Sequence, residues 1–221
     1  ATLVSQMSGA GLLGMSYVYG FDEVNSDMFP TVRDVFNEVH TRYPGVRTMT
    51  TAHDASFGTS PATSYLRSAV DIWVPVTKIY NQEAANQLRV EGKDMWWYFA
   101  LGPNRSEGYI NIMVEHRAIE PRLLMGLMAY KYQAGGFLYY QIANWPYLFH
   151  QPGGWITNGP YTNWDPRTVW NSAKEIGYNG DGSLFCPGPD GPIPTIRSEN
   201  IRDGLEDYEY LKLLENLFKT M

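Results

Sequence analysis

Short runs of β-branched and aromatic residues alternate along the chain with longer segments whose apolar residues recur at helical spacing. The run 16–24, with Tyr17, Val18, Tyr19 and Phe21, predicts a buried strand that ends on two adjacent carboxylates. Four further strands are predicted at 47–52, 71–76, 94–101 and 135–142. The helical segments are the end of a helix within 1–15, a helix over 28–43 capped by Asn25, Ser26 or Asp27, a short helix after 64, and helices at 80–91, 119–133 and 199–219.

This alternation of strands and helices is typical of an α/β fold with a parallel sheet. The natural candidate is the (β/α)8 TIM barrel, which usually takes about 250 residues. With 221 residues and five predicted strands, the chain is expected to hold the second half or more of one barrel as a single partial domain, 1–221. Residues 146–195 form a long loop in this prediction, and 199–219 form the terminal helix.

A partial barrel has an open sheet edge, and such edges tend to pair with another chain. We therefore expect either a companion fragment carrying the upstream strands or a homodimer.

The composition argues against several classes of function. The formal charge of −6 leaves no basic surface to replace phosphate counterions, so nucleic acid is not an expected partner. Cys186 is the single cysteine, which excludes a disulfide framework and a cysteine-based zinc site. No apolar run has membrane-spanning length, so no membrane partner is expected. Aromatic residues make up 14%, which suits either an aromatic core or rings that stack on sugars.

Asp22 and Glu23 are the residues most suggestive of chemistry. Unpaired carboxylates are costly to bury, so a pair that closes an apolar strand is expected to face a cleft, at the carboxyl end of a parallel sheet. An acidic pair after a strand is also typical of a helix start. Because successive strand residues point to opposite faces, both carboxylates serve one site only if the chain turns at Asp22, which the nearby Gly20 allows. His53 and Asp54 lack a further ligand at suitable spacing, so no metal site is predicted.

Four motifs follow one another along the chain: 19–23 (YGFDE), 135–140 (GGFLYY) with Asn144 and Trp145, 179–184 (NGDGSL) with 187–188, and 196–211 (IRSENIRDGLEDYEYL). Together they resemble the catalytic region of glycoside hydrolase family 123, the β-N-acetylgalactosaminidases, and related uncharacterised domains. The resemblance begins just before the family's fourth strand, and the family's amino-terminal β-sandwich has no counterpart here. One departure is Tyr140, where the family often has Trp at the end of the last strand.

The resemblance implies a retaining glycosidase that uses the 2-acetamido oxygen of its own substrate as the nucleophile, on terminal β-linked N-acetylgalactosamine or N-acetylhexosamine. Asp22 would orient the acetamide group, and Glu23 would be the general acid and base. The substrate would be a glycan or glycoconjugate, with no cofactor, in a secreted, periplasmic or lysosome-like compartment. The aromatic residues at predicted strand ends are either core residues or walls of the sugar site, and the expected substrate-binding set is Tyr19, Trp97, Tyr98, Tyr140, Asn144 and Trp145.

Two alternatives stay open. The chain could be a non-catalytic carbohydrate-binding or structural barrel fragment, since missing strands would contribute to the site. It could also be a conventional retaining glycosidase, in which Glu23 is the acid and Asp54 or Asp71 the nucleophile.

Overall fold

A computed structural model describes residues 2–100, 102–103, 105–113, 116–140, 142, 150–151, 154–155, 184–186 and 191–220. The chain divides into two compact units. The first comprises Ala1–Tyr98 with Ala134–Leu138, and the second comprises Phe99–Gln133 with Tyr139–Met221. No helix in the described part of the chain combines the length and the apolar character needed to cross a bilayer.

Parallel strands form the centre of the first unit. Strands β1 (Tyr17–Tyr19), β2 (Arg47–Thr50), β3 (Ile72–Trp73) and β4 (Asp94–Met95) pair in that order, all parallel. After Trp96 the chain continues as β5 (Trp97–Tyr98), which pairs in parallel with β6 (Phe137–Leu138). The parallel α/β class is thus confirmed, and each predicted strand has a counterpart. The described strands close no barrel, however, so the fold that is shown is a mixed α/β fold with parallel sheets.

The observed strands are shorter and less buried than predicted. Strand β1 in particular is exposed along its length, because β2 is its one strand partner among the described residues. The predicted strand 94–101 is divided at Trp96, whose indole lies against the backbone of Gly136. A Cβ at Gly136 would stand 2.3 Å from that ring, so the glycine at this position is required by the close packing.

Helices precede or connect the strands of this unit, and two of them contribute to its core. Helix α1 (Thr2–Gly9) precedes β1, α2 (Phe29–Arg42) joins β1 to β2, and α3 (Gln82–Val90) joins β3 to β4. The core of this unit contains Phe36 from α2, Leu88 from α3 and Trp73 from β3. Asn81 caps α3 by accepting a hydrogen bond from the Ala84 amide.

The predicted cap of α2 is wrong. The residue at the N-cap is Met28, and no side chain caps this helix. Asn25 instead begins a turn in which its carbonyl accepts a hydrogen bond from the Met28 amide at 3.0 Å. Pro30 lies in the first turn of α2, where a missing N–H costs nothing.

Charged side chains are paired at the amino-terminal edge of the sheet. Asp71 accepts hydrogen bonds from the Thr48 amide at 2.9 Å and from Lys93 at 3.2 Å, and it lies 2.8 Å from His40. Burial alone would raise the pKa of Asp71, but the Thr48 amide and these two basic side chains hold it below its usual value. The contacts of Asp71 therefore stabilise the fold at this edge of the sheet.

The described part of the second unit is mainly helical. Helix α4 (Glu120–Leu123) passes through a π-helical turn (Leu124–Met128) into α5 (Ala129–Tyr132), and the last helix is α6 (Ile196–Thr220). Two short antiparallel pairs lie within the predicted loop 146–195. They are β7 (His150–Gln151) with β8 (Gly154–Trp155), and β9 (Phe185–Cys186) with β10 (Ile193–Pro194).

Glycines allow α6 to cross the π-helical turn closely. A Cβ on Gly204 would meet the Arg122 carbonyl oxygen at 2.7 Å and Met125 Cβ at 2.9 Å. Arg122 adds a bidentate ion pair with Asp207 at 2.7 and 2.9 Å, which lowers the pKa of that carboxyl. These pairs and those of Arg202 with three acidic neighbours form a structural ion network around the last helix.

The predicted apolar face of the last helix is largely exposed. Leu205, Leu214 and Phe218 all lie on the surface, and the one fully buried residue of α6 is Gly204. The apolar spacing predicted the helix correctly, but not which part of it is covered among the described residues.

Candidate active site

Asp22 and Glu23 follow β1 in a turn at the carboxyl end of the parallel sheet. Phe21 and Glu23 both have left-handed backbone angles, with φ of 60° and 50°. The expectation that the chain turns here is confirmed, although the left-handed residues flank Asp22 and Gly20 is not among them. Each left-handed non-glycine residue costs roughly 1–2 kcal/mol, so the surrounding contacts must hold the turn.

Contacts from the end of β2 hold this turn. The Thr50 hydroxyl donates to the Phe21 carbonyl oxygen at 2.9 Å, and the His53 amide donates to the Val24 carbonyl oxygen at 2.8 Å. The Phe21 ring packs edge-on against Phe36, with centroids 5.4 Å apart. The strained conformation is therefore anchored at both of its ends.

The Asp22 carboxylate receives two hydroxyl donors at one oxygen. Both Tyr19 and Thr51 donate to Oδ1, the threonine at 2.8 Å. Among the described residues, no hydrogen bond reaches Oδ2. The arrangement orients the carboxylate while leaving one oxygen available to accept from a ligand.

Glu23 is held in a similar way by groups from two strand ends. The Tyr98 hydroxyl, at the end of β5, donates to Glu23 Oε1 at 2.5 Å. The Glu23 amide donates to the Thr51 hydroxyl at 2.9 Å. Hydrogen bonds to an ionised partner are stronger than neutral ones, so the tyrosine fixes the carboxylate effectively.

The side chains of Tyr19, Asp22, Glu23 and Tyr98 form one electrostatic cluster. Burial and the hydrogen bond to Asp22 raise the pKa of Tyr19 to about 12. Burial and the hydrogen bond to Glu23 raise the pKa of Tyr98 further, and the charges of Glu23 and Asp22 contribute to it. Both hydroxyls consequently keep their protons, and remain donors, throughout the physiological pH range.

The remaining predicted site residues are placed differently. Trp97 is 2% exposed and packs against Tyr80, on the opposite side of its strand from Tyr98, which favours a core role. Tyr140 belongs to the second unit and is 77% exposed. Asn144 and Trp145 lie outside the described residues.

Thr51 is the site residue that sequence analysis missed. Its signal was present, because a threonine near the end of the predicted parallel strand 47–52 lies at the edge where the neighbouring strand brings Asp22 and Glu23. A lone threonine is so common at strand ends that this position alone would not have identified it.

The two alternative nucleophiles are occupied by structural contacts. Asp54 accepts hydrogen bonds from the Ser56 amide, the Ser56 hydroxyl and the Gly58 amide, all within its own loop. Asp71 lies in the cluster at the amino-terminal edge of the sheet. Within the described residues, no cluster of three or more His, Cys, Asp or Glu side chains has an arrangement that could hold a metal ion.

The chain is similar to a solved structure and to a family model. A solved structure of a family 123 glycoside hydrolase from Clostridium perfringens, studied for glycolipid glycan hydrolysis, matches 97% of this chain with a TM-score of 0.65. At 15% identity that likeness shows the fold alone, and the chain covers 34% of that protein's length. No curated protein matches the chain. The family model described as glycoside hydrolase 123, catalytic domain, matches residues 2–214, and the chain therefore belongs to this glycoside hydrolase family.

Proposed function

We propose that this domain cleaves terminal β-linked N-acetylgalactosamine, or a related N-acetylhexosamine, from a glycan by a retaining, substrate-assisted mechanism. The observation that carries the proposal is the left-handed turn that presents Asp22 and Glu23 together, each fixed by a tyrosine hydroxyl. The Clostridium neighbour, studied on glycolipid glycans, makes a glycolipid headgroup a reasonable source of the sugar.

Asp22 is proposed to act on the acetamido group. In the first step the acetamide oxygen attacks the anomeric carbon, the glycosidic bond breaks, and positive charge develops on the acetamide nitrogen. A carboxylate that accepts the acetamide N–H stabilises this charge and holds the oxygen in position to attack. Oδ1 is occupied by Tyr19 and Thr51, so Oδ2 is assigned to the substrate.

Glu23 is proposed to transfer the protons. It protonates the leaving glycosidic oxygen as the oxazolinium-type intermediate forms. It then takes a proton from the water that opens the intermediate at the anomeric carbon, so that two inversions give retention. Because Tyr98 occupies Oε1, this exchange is assigned to Oε2. One acid/base residue suffices because the nucleophile belongs to the substrate.

The surroundings of the other carboxylates support this mechanism over a conventional two-carboxylate one. A conventional enzyme needs a free second carboxylate across the bond, about 5–5.5 Å from the acid. Asp54 is instead held by backbone amides of its own loop, and Asp71 by the Thr48 amide of the neighbouring strand β2. Either would have to give up several hydrogen bonds in order to attack.

The test compares hydrolysis of nitrophenyl β-N-acetylgalactosaminide by the wild type, Asp22→Asn and Glu23→Gln. We expect each variant to lose about a hundredfold or more in kcat/KM, because a positioned acid/base group contributes roughly 10²–10⁴. Nitrophenyl β-galactoside, which lacks the acetamido group, should not be cleaved by any of them. Cleavage of the galactoside would indicate a protein nucleophile, and a folded wild type that cleaves neither substrate would indicate a binding module.

A further inference from the structure

Thr51 follows β2 directly and is 1% exposed. Strand β1 pairs with β2 in a register that sets Tyr19 opposite Met49, and the Gly20 amide donates to the Met49 carbonyl oxygen at 3.0 Å. Beyond this point β1 leaves the ladder and turns. Thr51 therefore lies beside the turn at the position where regular strand pairing has ended.

The hydroxyl of Thr51 makes hydrogen bonds with both Asp22 and Glu23. It donates to Asp22 Oδ1 at 2.8 Å and accepts from the Glu23 amide at 2.9 Å, and it lies 3.2 Å from the Tyr19 hydroxyl. A hydroxyl has one proton to donate and two acceptor positions. The proton is committed to Asp22 and one acceptor position to the Glu23 amide, so this group is nearly saturated.

The two hydrogen bonds have different consequences. The bond to Asp22 fixes where the carboxylate lies. The bond from the Glu23 amide holds the residue whose φ of 50° is unfavourable for a non-glycine residue. Removing the hydroxyl would thus remove one hydrogen bond from the Asp22 carboxylate and one from the Glu23 backbone.

We propose that Thr51 is a positioning residue that sets the acetamide-orienting Asp22 and the acid/base Glu23 in register with each other. The role rests on the proposed function, because it matters for catalysis only if the pair acts on one substrate. Thr51 touches neither the sugar nor the reacting atoms in this proposal and acts through the two carboxylates.

The test uses three variants. Thr51→Val removes the hydroxyl and keeps the β-branched shape, whereas Thr51→Ser keeps the hydroxyl. Thr48→Val is the matched control, because Thr48 is a buried residue of β2 whose hydroxyl donates to the Ala69 carbonyl oxygen at 2.7 Å and makes no hydrogen bond to Asp22 or Glu23 among the described residues. Each variant is measured for kcat and KM on nitrophenyl β-N-acetylgalactosaminide, and for hydrogen exchange of the Glu23 amide by NMR.

We expect Thr51→Val to lower kcat by about tenfold to a hundredfold, with KM changed by less than about threefold, since positioning acts mainly in the transition state. Exchange of the Glu23 amide should accelerate about tenfold or more in the same variant. Thr51→Ser should restore both quantities to within about threefold of the wild type, because it keeps the donor and the acceptor. Thr48→Val should lower the melting temperature without either change.

Several results would overturn the proposal. Thr51→Val with wild-type kcat, an equal loss of kcat in Thr48→Val, or no recovery in Thr51→Ser would reduce Thr51 to a structural residue. Unchanged exchange of the Glu23 amide in Thr51→Val would show that Thr51 does not stabilise the turn, whatever the effect on kcat. A wild type that does not cleave the substrate would refute the proposed function instead, and the exchange measurement would still decide the role of Thr51 in the turn.

Discussion

Replacing Tyr98 by Phe removes one hydroxyl from the site and leaves the ring in place. Tyr98 is 6% exposed, and its hydroxyl donates to Glu23 Oε1 at 2.5 Å. A hydrogen bond to an ionised partner contributes about 1.5–3 kcal/mol. If the bond persists in the transition state, its loss lowers kcat by about 10- to 150-fold, because each 1.36 kcal/mol corresponds to a factor of ten.

The assay is kcat and KM on nitrophenyl β-N-acetylgalactosaminide, with Tyr17→Phe as the control. Tyr17 is 41% exposed and its ring contacts Trp96 edge-on, and its hydroxyl makes no hydrogen bond among the described residues. Tyr17→Phe should therefore retain activity to within about twofold, as surface substitutions usually do. A Tyr98→Phe variant that is equally active would show that the acid/base group does not depend on the tyrosine, and the reasoning from the 2.5 Å contact would fail.

The raised pKa of Tyr98 also bears on how the loss of activity in Tyr98→Phe depends on pH. A raised pKa means that Tyr98 keeps its proton at every pH below that value, so it donates to Glu23 over the whole assay range. The wild type should therefore remain more active than Tyr98→Phe across the range from about pH 6 to 9. Equal activities at the upper end of this window would contradict a Tyr98 hydroxyl that still donates there.

Three further outcomes are expected. Gly204→Ala should lower the free energy of unfolding by about 1–3 kcal/mol in urea titrations, because its Cβ would overlap the Arg122 carbonyl oxygen, whereas Gly9→Ala, with nothing within 4 Å, should not. Asp71→Asn should cost stability above about pH 4, and this difference should shrink on acidification, because a depressed folded-state pKa gives stability that is lost as pH falls; a pH-independent difference would contradict it. Substrates whose acetyl group carries one, two or three fluorines should react progressively more slowly with the wild type, since fluorine weakens the acetamide oxygen as a nucleophile; equal rates would exclude substrate assistance.

The sequence predicted what depends on local periodicity. Alternating strand and helix segments predicted the parallel strands, one of which the structure divides at Trp96, and the helices α2 and α3 between them, because one buried face imposes a spacing that can be counted. The cap of α2 was missed because Asn25 uses its backbone in a turn, which residue type alone does not reveal. The exposed Leu214 and Phe218 were missed for another reason: the helical spacing shows that a face is apolar, but not whether another element covers it.

The sequence indicated the two carboxylates of the candidate site, but not the bend in the backbone that positions them. An acidic pair at a strand end indicated Asp22 and Glu23, and the resemblance gave their roles. The bend itself could not be located from the sequence, since bulky Phe21 and charged Glu23 are rare choices for a left-handed backbone. Glycine would be the expected residue, and Gly20 drew the prediction to the wrong position.

The turn accounts for how adjacent carboxylates can share one substrate. On a regular strand Asp22 and Glu23 would point to opposite faces, and only one could reach the sugar. Two left-handed residues remove that constraint at a cost of roughly 1–2 kcal/mol each. The hydroxyls of Thr50 and Thr51 offset this cost from the neighbouring strand, and Thr51 also binds the carboxylate that the turn exposes. The same contacts that stabilise the strained backbone thereby position the proposed catalytic groups, which is why we expect the loss of one hydroxyl to be felt in kcat.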